Sequence, residues 1–293
     1  MKEYPVPETQ ESTASAVHEA RAYQVRPERP FIYVSRIISP DYVDIRLLNG
    51  NPKQRTVVIR DLIAIINNIM DSTGTDFFAI CGYVTADLTF GGIVADKMGL
   101  PYFYVRDADK AHGKGKRIEG VAEEDLAGKE VLHLGDLLTK GTTSKQLAEA
   151  VRSVGGIVRY HVPIFDRLQG GREELSSIGI EVVPACIMDS SFYRIGAEQG
   201  LISEHAMYEI ARYRANGIEW ARDYLRKHPE FFKAVFQKPD AIVNGMLKSK
   251  VQEVLEVLTM GYPELVAEFS PQIKKLLEEF NVTQDVPVFG FIP

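Results

Sequence analysis

Apolar positions along the chain fall into two regimes: short apolar runs alternating with helical periodicity, and then a stretch that is helical almost throughout. Within residues 52–70, Val58, Leu62, Ile65, Ile66 and Ile69 recur at the spacing of one helix face. Runs at 42–46, 77–81, 101–106, 131–134 and 157–165 have the length and composition of strands, and 179–187 closes the series. Helical stretches at 88–99, 147–154 and 171–178 lie between them. This alternation predicts βαβ units and a parallel sheet, hence an α/β fold. Pro163 falls inside a predicted strand, which points to an irregular or edge position there. Beyond Leu201 the apolar spacing of Ile242, Met246, Val251, Val254 and Leu258, and then of Leu265, Phe269, Ile273, Leu276 and Phe280, predicts continuous helix. The expected organisation is a polar, proline-bearing arm over 1–29 with a short helix from Glu11 to Tyr23, an α/β domain over 30–200, and a helical extension over 201–293 that serves packing or assembly.

Composition narrows the classes further. The 293 residues are 45% hydrophobic and 25% charged, with 34 basic against 40 acidic side chains, so the net charge is 34 − 40 = −6. That excludes a disordered chain and argues against bulk affinity for nucleic acid. No apolar run approaches the roughly 18 residues that cross a bilayer, and the N-terminus lacks the apolar core of a signal peptide. A cytoplasmic protein with no membrane partner is expected. Cys81 and Cys186 each sit in an apolar stretch and read as reduced core residues.

Three segments carry candidate chemistry. From Glu130 to Gly156 a strand runs through a loop of small residues into a helix, with Thr143 and Gln146 at capping-box spacing and Gly155 suited to the left-handed position after the helix. Backbone N–H groups at such a helix start, with the hydroxyls of Thr139, Thr142 and Thr143, form a cradle for a phosphate monoester, and Gly141 lets the backbone approach closely. Neither the P-loop spacing nor a dinucleotide fingerprint is present. The second segment, 104–120, holds Arg106, Lys110, Lys114, Lys116 and Arg117 with His112, Gly113 and Gly115. It reads as a loop able to close cations over a polyanionic leaving group. In the third, a strand ends at Asp166 and Arg167 before a Gly-Gly turn. Strand C-terminal ends are where open α/β sheets bind ligands, and Arg167 could fork onto a planar anion.

In this order, the segments resemble the type I phosphoribosyltransferases, and among them the orotate phosphoribosyltransferases. Ser39, Pro40, Tyr42 and Asp44 match an early S-P-x-Y-x-[DN] element, Arg106, Lys110, His112 and Gly113 match the mobile-loop pattern R-x3-K-x-H-G, and Asp166 with Arg167 match a later D-R before a glycine turn. The similarity runs from about 31 to 200, and residues 201–293 have no counterpart in the compact members of the family. The resemblance implies a type I phosphoribosyltransferase-like parallel sheet flanked by helices, followed by the all-helical extension. It also implies transfer of the phosphoribosyl group of 5-phosphoribosyl-1-diphosphate (PRPP) to orotate, giving orotidine 5′-monophosphate and diphosphate, in pyrimidine nucleotide synthesis. Mg²⁺ bound to the diphosphate and the ribose hydroxyls is implied with it, as is a homodimer in which the mobile loop reaches the neighbouring subunit. By the same resemblance Thr139, Lys140, Gly141, Thr142 and Thr143 hold the 5′-phosphate, and Asp136 grips the ribose hydroxyls beside the metal. Arg106, Lys110 and His112 act on the diphosphate, with Lys110 the main catalytic cation, and Arg167 contacts orotate.

Some positions depart from the family pattern. Gly135 stands where the first of two adjacent acidic residues is usual, and one lost charge-assisted hydrogen bond is worth about 1.5–3 kcal/mol. Weakened activity is the expectation. Asp107 replaces a cation, and Val34, Ser35 and Arg36 replace a Lys-Ser-Gly run whose lysine touches orotate. Three readings therefore stand side by side: an orotate phosphoribosyltransferase, a phosphoribosyltransferase for another base, and a non-catalytic PRPP- or nucleotide-binding regulator of the same fold.

Overall fold

The computed structural model describes residues 6–33, 36–106, 117–228, 230–231 and 257–279. They divide into two compact units, one of residues 1–23 with 43–202, the other of 24–42 with 203–293.

The first unit is built on a sheet in the order β10-β9-β8-β5-β6-β7. Its strands are β5 (Ala79–Tyr83), β6 (Tyr102–Val105), β7 (Ile118–Glu119), β8 (Glu130–Leu138), β9 (Ile157–Asp166) and β10 (Glu181–Val182), with β11 (Cys186–Ile187) also pairing β9. All pairings are parallel except that of β7 on β6. The helices α2 (Pro52–Thr73), α3 (Leu88–Met98), α4 (Thr142–Ser153) and α5 (Gly171–Ser177) pack on it. Leu147, Ala148 and Val151 of α4 and Leu175 of α5 close on Ala79, Cys81, Phe103 and Val131, a wholly apolar core. Such strands read as continuous apolar runs because both faces are covered. Cys81 and Cys186 are both buried free thiols.

Two expectations change here and one narrows. Residues 6–23 are no free arm: α1 (Gln10–Glu19) buries Ala14, Ala16 and Val17 and packs against α2 and α6 (Ser190–Glu198). The Gln10 side-chain amide extends the sheet's hydrogen bonding, its Nε2 donating to the Ile187 carbonyl at 2.9 Å while its Oε1 accepts from the Ile187 N–H at 2.7 Å. Of the two positions expected for Pro163, irregular or edge, the structure shows the irregular one: its strand is paired on both sides, with Gly135 of β8 beside it. Its carbonyl accepts from Ala185 N–H, so its missing donor faces the break between β10 and β11, where the ladder is interrupted. After the short strands β1 (Tyr23–Val25) and β4 (Asp41–Val43), the expected strand turns into a 3-10 helix at Ile45–Gly50, capped by the Asp44 carboxylate accepting from Arg46 N–H.

In the second unit, β2 (Phe31–Ile32) and β3 (Ile38–Ser39) form an antiparallel pair. The second unit resumes at 203, and residues 24–42 group with its helices α7 (Glu204–Ala215), α8 (Gly217–Lys227) and α9 (Val266–Glu279). The Tyr262 hydroxyl explains part of this, accepting from Ile38 N–H at 3.0 Å and donating to its carbonyl at 3.1 Å. Trp220 stacks on Tyr224 and donates from its indole to Glu209 at 2.7 Å, fixing α8 against α7. The helix expected around 242–258 lies almost wholly outside the described residues. No described helix is long and apolar enough to cross a membrane.

Candidate active site

The chain crosses from β5 to β6 on one side of the sheet and later inserts β8 on the other side of β5, so the strand order reverses between β5 and β8. Adjacent connections there leave in opposite directions and open a crevice at the strands' C-terminal ends. Asp87, in the turn between β5 and α3, and Asp136, near the end of β8, flank that point.

The two aspartates are tied together. One Asp87 carboxylate oxygen accepts the Asp136 N–H at 2.9 Å and the other accepts the Tyr83 N–H at 2.7 Å. Burial pushes the Asp87 carboxyl above the usual range, while those N–H groups pull it back. Asp136 is raised by burial and then by the neighbouring Asp87 charge, with Arg46 opposing the rise. Two close carboxylates in a crevice resist joint ionisation, and a bound diol or cation would relieve that strain.

Beneath them lie His133 and His161, stacked with ring centroids 4.1 Å apart and both buried. His133 Nε2 sits 3.5 Å from Asp87, and His161 Nε2 sits 3.4 Å from the Ser144 hydroxyl. A Cβ added at Gly135 would come within 2.6 Å of the His161 ring. The glycine at this position is thus matched to an imidazole that fills the space beside it. Desolvation lowers the His133 pKa from 6.5 to about 3. Below pH 6.5 the unfolded chain takes up a proton that folded His133 refuses, so stability falls as pH drops from 6.5 toward 3. At pH 5 the cost from this one residue is about 2 kcal/mol. Replacing His133 by glutamine, which keeps a donor toward Asp87 but does not titrate, is expected to shrink the difference in melting temperature between pH 7.5 and pH 5.

The loop after Asp136 has the expected shape with a different cap. α4 begins at Thr142, and its N-cap is Gly141 in the left-handed region at φ +77°, with no side-chain cap bond. Thr143 is therefore inside the first turn and makes no capping box. Gln146 instead accepts from the Tyr83 hydroxyl at 3.3 Å. Lys140, Thr142 and Thr143 are exposed while Gly141 is buried, so the loop floor is closed and its rim open. By helix geometry, the first N–H groups of α4 have no acceptor within the helix and point at that rim.

The third segment buttresses this loop. Gly171 N–H donates to the Thr139 carbonyl at 2.8 Å and Arg167 N–H to the Leu138 carbonyl at 3.0 Å. A Cβ at Gly171 would meet the Thr139 carbonyl oxygen at 2.5 Å. Gly171→Ala should therefore displace the loop, costing about 1–3 kcal/mol in stability, read as a lower melting temperature. Arg167 is buried rather than on the surface, and Arg172 pairs with Asp166 at 3.2 Å.

Of the predicted site residues, Asp136 lies near the end of β8, Thr139, Lys140 and Gly141 form the turn after it, Thr142 and Thr143 open α4, and Arg167, just after β9, joins them through its N–H on the Leu138 carbonyl. Arg106 stands at the root of the 107–116 segment on the β6-β7 pair, its guanidinium 2.7 Å from Glu119. Lys110 and His112 lie outside the described residues. Asp87, His133 and His161 were not anticipated. Their signal was available as polar residues inside or just after apolar strand runs.

Against known proteins, no family model matches. An orotate phosphoribosyltransferase of Bacillus cereus is 34% identical over 205 residues, 69% of this chain and 93% of that protein. One from Sinorhizobium fredii is 30% identical over 213 residues, 72% of this chain and 89% of that protein. Among solved structures, that of the Aeropyrum pernix orotate phosphoribosyltransferase superposes with a TM-score of 0.50 at 22% identity, covering 64% of this chain and 99% of that one, a likeness of fold. With a crevice at the reversal of strand order, an open-rimmed turn beside it and relatives matched over nearly their whole length, the chain belongs to the orotate phosphoribosyltransferase family.

Proposed function

We propose that the protein transfers the phosphoribosyl group of PRPP to orotate, giving orotidine 5′-monophosphate and diphosphate. The observation that carries this is the open-rimmed turn at 139–143, set beside an aspartate at the point where strand order reverses. In this reading the backbone N–H groups and hydroxyls of Thr139 to Thr143 hold the 5′-phosphate, and Asp136 takes the ribose hydroxyls. Departure of diphosphate leaves positive charge on the sugar, so the protein's work is alignment, exclusion of water and neutralisation of the leaving group. Lys110, His112 and Arg106 supply that neutralisation, Arg106 by exchanging Glu119 for the diphosphate.

In this reading Mg²⁺ would enter as an ion carried by the substrate. Among the described residues no three His, Cys, Asp or Glu side chains converge on one point. The ion would rest chiefly on PRPP oxygens with Asp136 as the neighbouring carboxylate, and would offset diphosphate charge. A homodimer lending its loop to the partner's site, and a cytoplasmic location, complete the proposal.

The test is the mass of the nucleotide formed from PRPP and a panel of bases. Orotidine 5′-monophosphate should form, and Lys110→Ala should lower kcat by about a hundredfold or more. A nucleotide of another base, or none at all, would reject the reading.

A further inference from the structure

Position 135 raises a chemical question that its neighbours answer. The site has one acidic side chain on β8, and room for a second at 135 is taken by the His161 ring. Yet a second carboxylate does stand at the crevice, delivered from the adjacent strand. Asp87 reaches across from the turn after β5, and its two oxygens clasp the backbone of both strand ends, Tyr83 on its own side and Asp136 on the other. His133 also lies beside it, 3.5 Å away and held flat against His161. The chain of contacts runs from a filled cavity, through two imidazoles, to a carboxylate that fixes the backbone of the substrate-facing aspartate.

We propose that Asp87 is the positioning residue of this site, holding Asp136 at the crevice in place of the constraint that a neighbouring acidic residue at 135 would give. The inference rests on the PRPP-binding reading above. Asp87 is buried, and both of its oxygens are occupied by backbone donors, so it acts through Asp136 and not on the sugar directly. An acceptor that fixes an N–H in a water-poor site narrows the range of poses open to the attached side chain, and orientation of that kind is a large part of transferase catalysis. His133 and His161 keep the clasp dry and fill the space beneath it.

A positioning role and a merely structural one differ in additivity. The experiment is a double-mutant cycle on the full chain with Asp87→Asn, Asp136→Ala and the pair, read by calorimetric titration with PRPP and Mg²⁺ and by thermal melting. Asp87→Asn alone is expected to weaken PRPP binding about tenfold and lower kcat more than it raises the KM for orotate. In the Asp136→Ala background the same change should cost less than about twofold, because the group it positions is gone. Asp87→Glu, which keeps the charge and both acceptors on a longer stem, should recover part of the affinity. Equal cost in both backgrounds would overturn the proposal, as would loss of a cooperative melt in Asp87→Asn, which would make the residue one of the fold. A wild-type chain that does not bind PRPP would instead reject the underlying functional reading.

Discussion

Asp136→Ala is expected to lower kcat/KM for phosphoribosyl transfer about a hundredfold, or about 2.7 kcal/mol, while the protein stays folded. Asp136 is the one acidic side chain that β8 offers to the crevice, since its neighbour is Gly135. Charge-assisted hydrogen bonds from a sugar diol to a partly buried carboxylate are among the stronger polar contacts a site can make. The bond given up within the protein is local: the carboxylate accepts the Leu137 N–H at 2.6 Å, and the strand can lose it without unpairing. Melting should shift by a few degrees at most. Measured kcat and KM for PRPP, with the melting temperature, check both halves.

Gly135→Glu should do the reverse of what the family pattern suggests. Restoring the second acidic residue ought to strengthen the grip on ribose, but the Cβ alone would stand 2.6 Å from the His161 ring, which is 1% exposed and stacked on His133. Both rings are buried, so overpacking costs about 1–3 kcal/mol. An unpaired carboxyl near Asp87 and Asp136 adds like-charge repulsion. The melting temperature should fall by about 2–12 °C, and turnover should fall with it. Adding His161→Ala opens the space, and the double variant should melt above Gly135→Glu alone. A single variant more active than the parent would show that Gly135 is a simple loss, not one half of a matched pair.

The sheet was legible because buried parallel strands must be apolar on both faces, so Phe77 to Cys81 and Ile157 to Phe165 stand out from the helical spacing around them. The helix over 52–70 announced itself by Val58, Leu62, Ile65 and Ile69, and all four are buried. The turn from β8 into α4 was legible from its threonines and Gly141. Its cap was misread because Gly141 at φ +77° supplies the turn by backbone conformation, leaving Thr143 with nothing to cap. The N-terminal segment looked like an arm because its buried face is made of Gln10, Thr13, Ala14, Ala16, Val17 and His18, of which Val17 alone is a larger aliphatic side chain, too few to register as a core stripe. Pairing across strands was the hardest to foresee. Asp87 and Asp136 are 49 positions apart, and only the register of β5 with β8 brings them to one crevice.

A crystal structure of the chain with PRPP and Mg²⁺ bound tests the central claim most directly. The 5′-phosphate oxygens should lie about 3 Å from backbone nitrogens between Lys140 and Thr143, with the ribose hydroxyls on the Asp136 carboxylate. A phosphate seated elsewhere, with the 139–143 turn unengaged, would contradict the account.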